Sequence, residues 1–192
     1  MNFCTATQTS FSNADLLQLH QWQLWLNERG ATWPRLPPPL AERCRVAFCA
    51  TEGNPSQLQR DVTTALAALG LKPREEVRTA QGYSIDAVVH VNGRDVAVEV
   101  DGPYHFVGHS PTGATVLKRR QLHVAGWPLL SVPYWEWGAL DNDAAGRREY
   151  LLRGLAEAGA QAKGGAVAGA GGTAEGDNND WECVTRRRGH RP

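Results

Sequence analysis

The chain has 192 residues, of which 42% are hydrophobic, and its 20 Lys and Arg residues balance its 20 Asp and Glu residues. This length and composition predict one ordinary domain with helical additions. Because the formal net charge is zero, a basic surface spread over the whole molecule is excluded, and any site for a polyanion must be local. No apolar run approaches the roughly 20 residues of a membrane-spanning helix.

The N-terminal region, residues 1–52, is predicted to be helical with a proline-rich link. A first helix over residues 13–29 is indicated by an apolar stripe and by the capping-box spacing of Ser12 and Asp15. The sequence from Trp33 to Leu40 then predicts a stiff, extended link. A short second helix is expected over residues 41–49.

Two features bear on the cellular compartment. The first basic residue is Arg29, so no transit peptide and no secretory signal is visible in this chain. The four cysteines lack CxxC spacing and have no His in metal register beside them, which predicts free thiols in a reducing compartment. They are Cys4, Cys44, Cys49 and Cys183.

The second region, residues 53–158, has the pattern of an α/β domain. A helix begins after Asn54-Pro55-Ser56, and a short strand is expected at residues 76–78. Further on, a helix over residues 112–125 is followed by an apolar strand over 128–133, and this order predicts a crossover to a parallel strand. The predicted fold is α/β, with a small mixed sheet and flanking helices, preceded by the N-terminal helices.

A β-hairpin is the sharpest local prediction. Two alternating segments, residues 83–91 and 94–100, are joined by Asn92-Gly93, which is typical of a two-residue type I′ turn. This turn fixes the register and sets Asp86 directly opposite Glu99, while the other face of the hairpin is wholly apolar.

Asp101 follows this hairpin and lies diagonal to Asp86, so three carboxylates are expected within roughly 5 to 8 Å of one another, measured between β-carbons. Like charges so close together must be offset by a bound cation, by a neighbouring Lys or Arg, or by a raised pKa on one carboxyl group. Asp86, Glu99 and Asp101 are therefore the candidate ligands of a metal ion, with Mg²⁺ as the cation that suits carboxylate oxygens.

The last segments are predicted to carry an aromatic loop, a helix and a tail. Tyr134 to Trp137 is expected to be a loop that leaves the sheet, and a helix is expected over residues 144–157. The composition from residue 159 onward is dominated by Gly and Ala, which predicts a disordered tail over 159–192 with a basic end.

The stretch from Ala97 to Trp137 contains EVDGPYHF, PTGATVLKRRQL and SVPYWEW and resembles the RAP domain, with similarity over residues 83–155. RAP domains are associated with RNA binding and are usually found at the C-terminus of organellar RNA-processing proteins. The resemblance implies a restriction-endonuclease-like fold. In nucleases of that fold an Asp and a Glu on adjacent strands hold a divalent metal ion, and Asp86 and Glu99 match those positions.

One residue departs from the nuclease pattern. Such nucleases have a Lys two residues after the Glu, to polarise the attacking water, whereas this chain has Asp101. Lys118 on the inward arc of its helix or His105 in the following loop could take that role. The candidate catalytic residues are therefore Asp86, Glu99, Asp101, Lys118 and His105.

A basic helix and several aromatic residues supply the candidate RNA contacts. The helical wheel places Arg119, Arg120 and His123 on the outer arc, where they would meet phosphates. Aromatic rings beside such cations are a combination that binds single-stranded RNA, and His109 could also stack on a base. The full candidate set is Lys118, Arg119, Arg120, His123, Tyr104, Trp135 and Trp137.

The expected function is RNA binding in the processing, stabilisation or translation of organellar transcripts, in a mitochondrion or a chloroplast. Two alternatives stay open. One is a Mg²⁺-dependent endonuclease acting on RNA or DNA, and the other is a Trp-rich module that docks a protein partner within an RNA-processing complex. The expected partners are RNA and such a protein, with no membrane and no cofactor beyond Mg²⁺.

Overall fold

The computed structural model describes residues 11–30, 34–50 and 53–164, with side chains described up to residue 160. These residues fall into two compact units that divide between residues 52 and 53. Within the described ranges, no helix combines the length and the apolar character that crossing a membrane requires.

The first unit is a pair of helices, α1 (Asn13–Glu28) and α2 (Pro38–Cys49), that pack against each other. The predicted capping box is confirmed, because the Asp15 backbone N–H donates to the Ser12 hydroxyl and the Ser12 N–H donates to the Asp15 carboxylate.

The predicted extended link is wrong at its C-terminal end. Helix α2 already begins at Pro38, since the fixed φ of proline suits the first turn of a helix and its missing N–H costs nothing there. Cys44 is a free, buried thiol, but Cys49 is disulfide-bonded, so the prediction of free thiols is wrong for Cys49.

The second unit contains the remaining elements. In chain order, these are α3 (Gln57–Ala68), β1 (Arg74–Arg78), β2 (Ser84–Val91), β3 (Arg94–Asp101), a 3-10 turn (Pro103–His105), β4 (Phe106–Val107), β5 (Ser110–Pro111), α4 (Gly113–Val124), β6 (Leu129–Pro133), α5 (Tyr134–Ala139) and α6 (Ala144–Gly164). The α/β class with a small mixed sheet, flanking helices and N-terminal helices is confirmed. Its restriction-endonuclease-like subtype stays a prediction.

The main sheet has four strands in the order β1-β2-β3-β6. Strands β1, β2 and β3 are antiparallel, and β6 runs parallel to β3 after the crossover through α4. The hairpin register is as predicted: Val91 pairs with Arg94 and Ala87 pairs with Val98. The turn residues Asn92 and Gly93 have φ values of 51° and 78°, which is the left-handed conformation that a type I′ turn requires.

One face of this sheet carries the core. Alternate residues of β2 and β3 pack with Leu130 and Val132 of β6 against apolar side chains of α3 and α6. Trp137 of α5 joins them and is only 1% exposed. Since successive strand residues point to opposite faces, the residues between these core positions are turned toward α4.

Three details differ from the sequence predictions. Tyr134 to Trp137 lies in helix α5 rather than in a loop, because burying Trp137 against the core stabilises a turn of helix there. Helix α6 continues to Gly164, beyond the predicted end at residue 157. The small β4–β5 hairpin was not predicted, and the basic C-terminal end lies outside the described residues.

Candidate functional site

The acidic residues come together on the face of the sheet opposite the core. Extending the β2–β3 register by one position sets Asp86 beside Glu99, and Asp101 follows two residues later on the same face. Glu99 is 3% exposed and Asp101 is 2% exposed, so both carboxyl groups are almost removed from water. We call Asp86, Glu99 and Asp101 the acidic cluster.

Lys118 of α4 lies over Glu99, and its ammonium group forms an ion pair with Glu99 Oε2. The other oxygen, Oε1, is buried and has no hydrogen-bond partner among the described residues. Burial raises the pKa of Glu99 to about 8; the Lys118 charge opposes this rise, whereas the Asp86 and Asp101 charges add to it. The folded chain therefore holds the proton of Glu99 more tightly than an exposed glutamate would.

Asp101 belongs to a second hydrogen-bonded network. Arg119 Nη2 donates to Asp101 Oδ2 at 2.7 Å and to the Ser131 hydroxyl at 2.6 Å. Ser131 in turn donates to the same Asp101 oxygen at 2.7 Å. This network connects β3, β6 and α4, so it fixes the crossover helix to the two parallel strands.

Asp86 is half-buried and is held by the backbone. The Val100 N–H donates to Asp86 Oδ2 at 2.7 Å, which replaces a strand–strand hydrogen bond at the end of the hairpin. Burial raises the pKa of Asp86 above its ordinary value, against the opposing effect of Lys118 and of this hydrogen bond. The charges of Glu76 and Asp101 act in the same direction as burial.

Glu76 and Gln59 are members of this region that the sequence interpretation missed. In the β1–β2 register the position opposite Asp86 is Glu76, whose φ is 51°. Gln59 Nε2 of α3 donates to Glu76 Oε1 at 2.9 Å and to the Asp86 backbone carbonyl at 3.2 Å. Glu76 could be placed only through the β1–β2 register, which no two-residue turn fixes.

The predicted catalytic residues do lie together. Lys118 reaches the acidic cluster, as the helical wheel predicts, and His105 Nδ1 lies 3.5 Å from Asp101 Oδ1. Nevertheless, the described residues include no group of three or more His, Cys, Asp and Glu side chains arranged to hold a metal ion. Two carboxylates of the acidic cluster, Glu99 and Asp101, are paired instead with Lys118 and Arg119.

The predicted outer position of Arg119 is wrong. The buried residues of α4 include Thr115 and Leu122, and the inward stripe that they define passes between Lys118 and Arg119, so both cations point to the sheet. Arg120 and His123 are exposed, as predicted.

An aromatic cluster is built beside this helix from Phe106, His109, Tyr134 and Trp135. The His109 ring stacks on Trp135, with centroids 4.5 Å apart and planes at 20°. The edges of Phe106 and Tyr134 also meet Trp135, at 4.4 and 5.2 Å between centroids. The Arg119 guanidinium lies 5.9 Å from the Phe106 ring centre, so the aromatic cluster adjoins the buried charges.

Two candidate RNA-contacting aromatic residues have opposite environments. Tyr104 is 96% exposed, as a contact residue would be, whereas Trp137 is 1% exposed. The prediction of Trp137 as a surface residue is therefore wrong, because its ring belongs to the core between the sheet and α6.

Comparison with known proteins shows what this region of the chain is similar to. The family model of the RAP domain matches residues 98–153, from within β3 to within α6. A curated protein of Oryza sativa subsp. japonica, the chloroplastic "RAP domain-containing protein", is 37% identical over 100 residues. The alignment covers 51% of this chain but only 15% of that relative. The matched residues contain Glu99, Asp101, α4 and the whole aromatic cluster, so the part of the chain that carries the candidate site is similar to the RAP domain.

Proposed function

We propose that this chain binds RNA through its RAP domain and acts in the processing, stability or translation of organellar transcripts. The family match and the chloroplastic relative support an RNA-related role in an organelle. The observation that carries the proposal is that exposed Arg120 and His123 lie on α4, whose N-terminal end is hydrogen-bonded to the segment that carries exposed Tyr104 and His109. Cations that meet phosphates beside rings that meet bases form a general RNA-binding arrangement.

The acidic cluster has a supporting role in this proposal. Glu99 and Asp101 bind Lys118 and Arg119, so the inner half of the basic helix is neutralised and anchored. Arg120 and His123 on the outer half are exposed. This division explains how a chain with zero net charge can present a local site for a polyanion.

The salt dependence of RNA binding tests the role of α4. We expect the double substitution Arg120→Ala with His123→Ala to weaken binding of a single-stranded RNA at 0.1 M NaCl and to flatten the slope of log K against log salt. This slope becomes less steep by about 0.7 for each phosphate of the single strand that is no longer neutralised by a cation. Fluorescence anisotropy with a labelled 12-nucleotide RNA measures both quantities.

Arg94→Ala is the matched control, since Arg94 is an exposed arginine beside the hairpin turn, away from α4. We expect its slope to equal that of the unsubstituted protein. A double variant whose slope is also unchanged would remove the outer face of α4 from the proposal.

A metal-dependent endonuclease is the second candidate, and the contact between Lys118 and Glu99 beside Asp86 favours it. These three groups would supply two acidic ligands and a cation that polarises water. The candidate predicts RNA or DNA cleavage that requires Mg²⁺ and is abolished in Glu99→Gln. The hydrogen bonds that tie Asp101 to Arg119 and Ser131 favour the supporting role instead.

A further inference from the structure

We infer that the aromatic cluster, with Tyr104 beside it, is a stacking site for an unpaired RNA base, and that the exposed face of the His109 ring is the surface on which the base lies. This inference rests on the proposed function and names the part of the RNA that the chain contacts. It assigns the recognition of single-stranded RNA to rings rather than to the cations of α4.

The rings of the aromatic cluster are stacked in a fixed order. Trp135 is fixed by two edge contacts, from Phe106 at 73° and from Tyr134 at 87° between planes. His109 lies nearly parallel on a face of Trp135, and His109 is itself exposed. Because one face of the imidazole is covered by the indole, its other face is available to extend the stack by one more planar group.

The tip that carries His109 is an ordered hairpin turn. Strands β4 and β5 pair Val107 with Ser110, so Gly108 and His109 form a two-residue turn, and Gly108 has the left-handed φ of 61° that the turn needs. Such preorganisation lowers the entropy cost of binding.

Helix α4 holds the base of this hairpin. The Thr112 N–H donates to the His105 carbonyl at 2.8 Å, and the Thr115 hydroxyl donates to the same carbonyl at 3.2 Å. The hairpin is therefore tied at both ends to the helix that also carries Arg120. A base on His109 and a phosphate on α4 can accordingly belong to one RNA strand.

Tyr104 is a second exposed ring in this segment of the chain. Its ring is 96% exposed and lies two residues before Phe106, in the 3-10 turn that leads into β4. Two exposed rings, five residues apart in the chain, suit a ligand with more than one stacking surface, as consecutive unpaired bases have.

Single-stranded RNA fits this surface better than a duplex does. Base faces are accessible only where the strand is unpaired, and stacking on aromatic rings tolerates every base. The site should therefore select unpaired structure over paired structure and show little sequence preference.

The test compares a 12-nucleotide single-stranded RNA with a duplex of the same length, both at 0.15 M NaCl, using the full chain. We expect His109→Ala and Tyr104→Ala each to weaken single-strand binding about five- to a hundredfold, as removing one stacking ring does, with little effect on the duplex. His109→Phe and Tyr104→Phe keep the rings and are expected to restore binding. His90→Ala, which removes an exposed histidine from β2, is the matched control.

The outcomes separate this inference from the proposed function. If single-strand binding persists at full strength in both alanine variants, or if the unsubstituted chain binds the duplex equally well, the stacking site is overturned while RNA binding stands. If the unsubstituted chain binds neither RNA, the proposed function itself fails. If binding is abolished in His109→Ala and not restored by His109→Phe, the ring is not the determinant and the inference is also overturned.

Discussion

Replacing Asp101 with alanine is expected to lower the free energy of unfolding by about 3 kcal/mol. The substitution leaves the Arg119 guanidinium beside Ser131 without its counter-charge, in a site where Asp101 itself is 2% exposed. Removing one partner of a buried pair is costly because the remaining charge is deprived of both water and its partner. The effect falls at the lower end of the usual range because the Arg119 side chain is 26% exposed.

The matched control is Asp95→Ala in the same strand. Asp95 contacts Arg74 and His90, but its side chain is 39% exposed, so we expect a decrease under about 1 kcal/mol. Urea denaturation followed by circular dichroism measures both variants. Equal decreases for Asp95→Ala and Asp101→Ala would contradict the structural role that we assign to the buried network.

Replacing Glu99 with glutamine is expected to change how stability depends on pH. The pKa of Glu99 is about 8 in the folded chain against an ordinary value of 4.5, so the folded state binds the proton more tightly than the unfolded state. The unfolded state therefore binds fewer protons between these two values, and the free energy of unfolding falls as pH rises from 4.5 to about 8. The decrease is on the order of 3 to 5 kcal/mol.

Glutamine does not titrate and still offers an oxygen to Lys118. We therefore expect Glu99→Gln to become more stable than the unsubstituted chain as pH rises from 5 to 8.5, while the two are closest near pH 5. Measuring urea unfolding of both proteins across this range removes the contribution of every other shared group. Parallel stability curves would show that Glu99 is not protonated in the folded chain.

Local patterns account for what the sequence predicted well. Asn92-Gly93 specifies a turn of known length, and a two-residue turn leaves one register, so the placement of Asp86 and Glu99 on one face followed from the chain itself. The crossover rule likewise predicted that the strand at Leu129–Pro133 returns parallel. Both inferences depend on contacts between neighbouring segments.

The errors come from residues whose positions depend on tertiary packing. Tyr134 to Trp137 contains residues of low helix propensity, and only the burial of Trp137 in the core makes α5 favourable. Arg119 was predicted to face outward because a helical wheel gives only the angle of each side chain about the helix axis. It does not show which arc of the helix packs on the sheet. Glu76 was missed because the turn between β1 and β2 does not fix a register in advance.

The acidic cluster links the sheet to helix α4. Its three carboxyl groups occupy one face of the sheet, and two of them, Glu99 and Asp101, contact cations of α4. The proposed role of these carboxyl groups is to position α4. Through the contacts of Asp101 with His105 and of Arg119 with Phe106, they also position the β4–β5 hairpin. The buried ion pairs of the acidic cluster with α4 then hold in place the surface that is proposed to contact RNA.

The most direct measurement incubates the full chain with a mixed pool of single-stranded and structured RNA, with Mg²⁺ or with EDTA, and scores both retention and cleavage. We predict that the chain retains unpaired RNA in either condition, leaves it intact, and no longer retains it in the double variant Tyr104→Ala with His109→Ala. Mg²⁺-dependent cleavage that disappears in Glu99→Gln, or a failure to retain any RNA, would contradict the account.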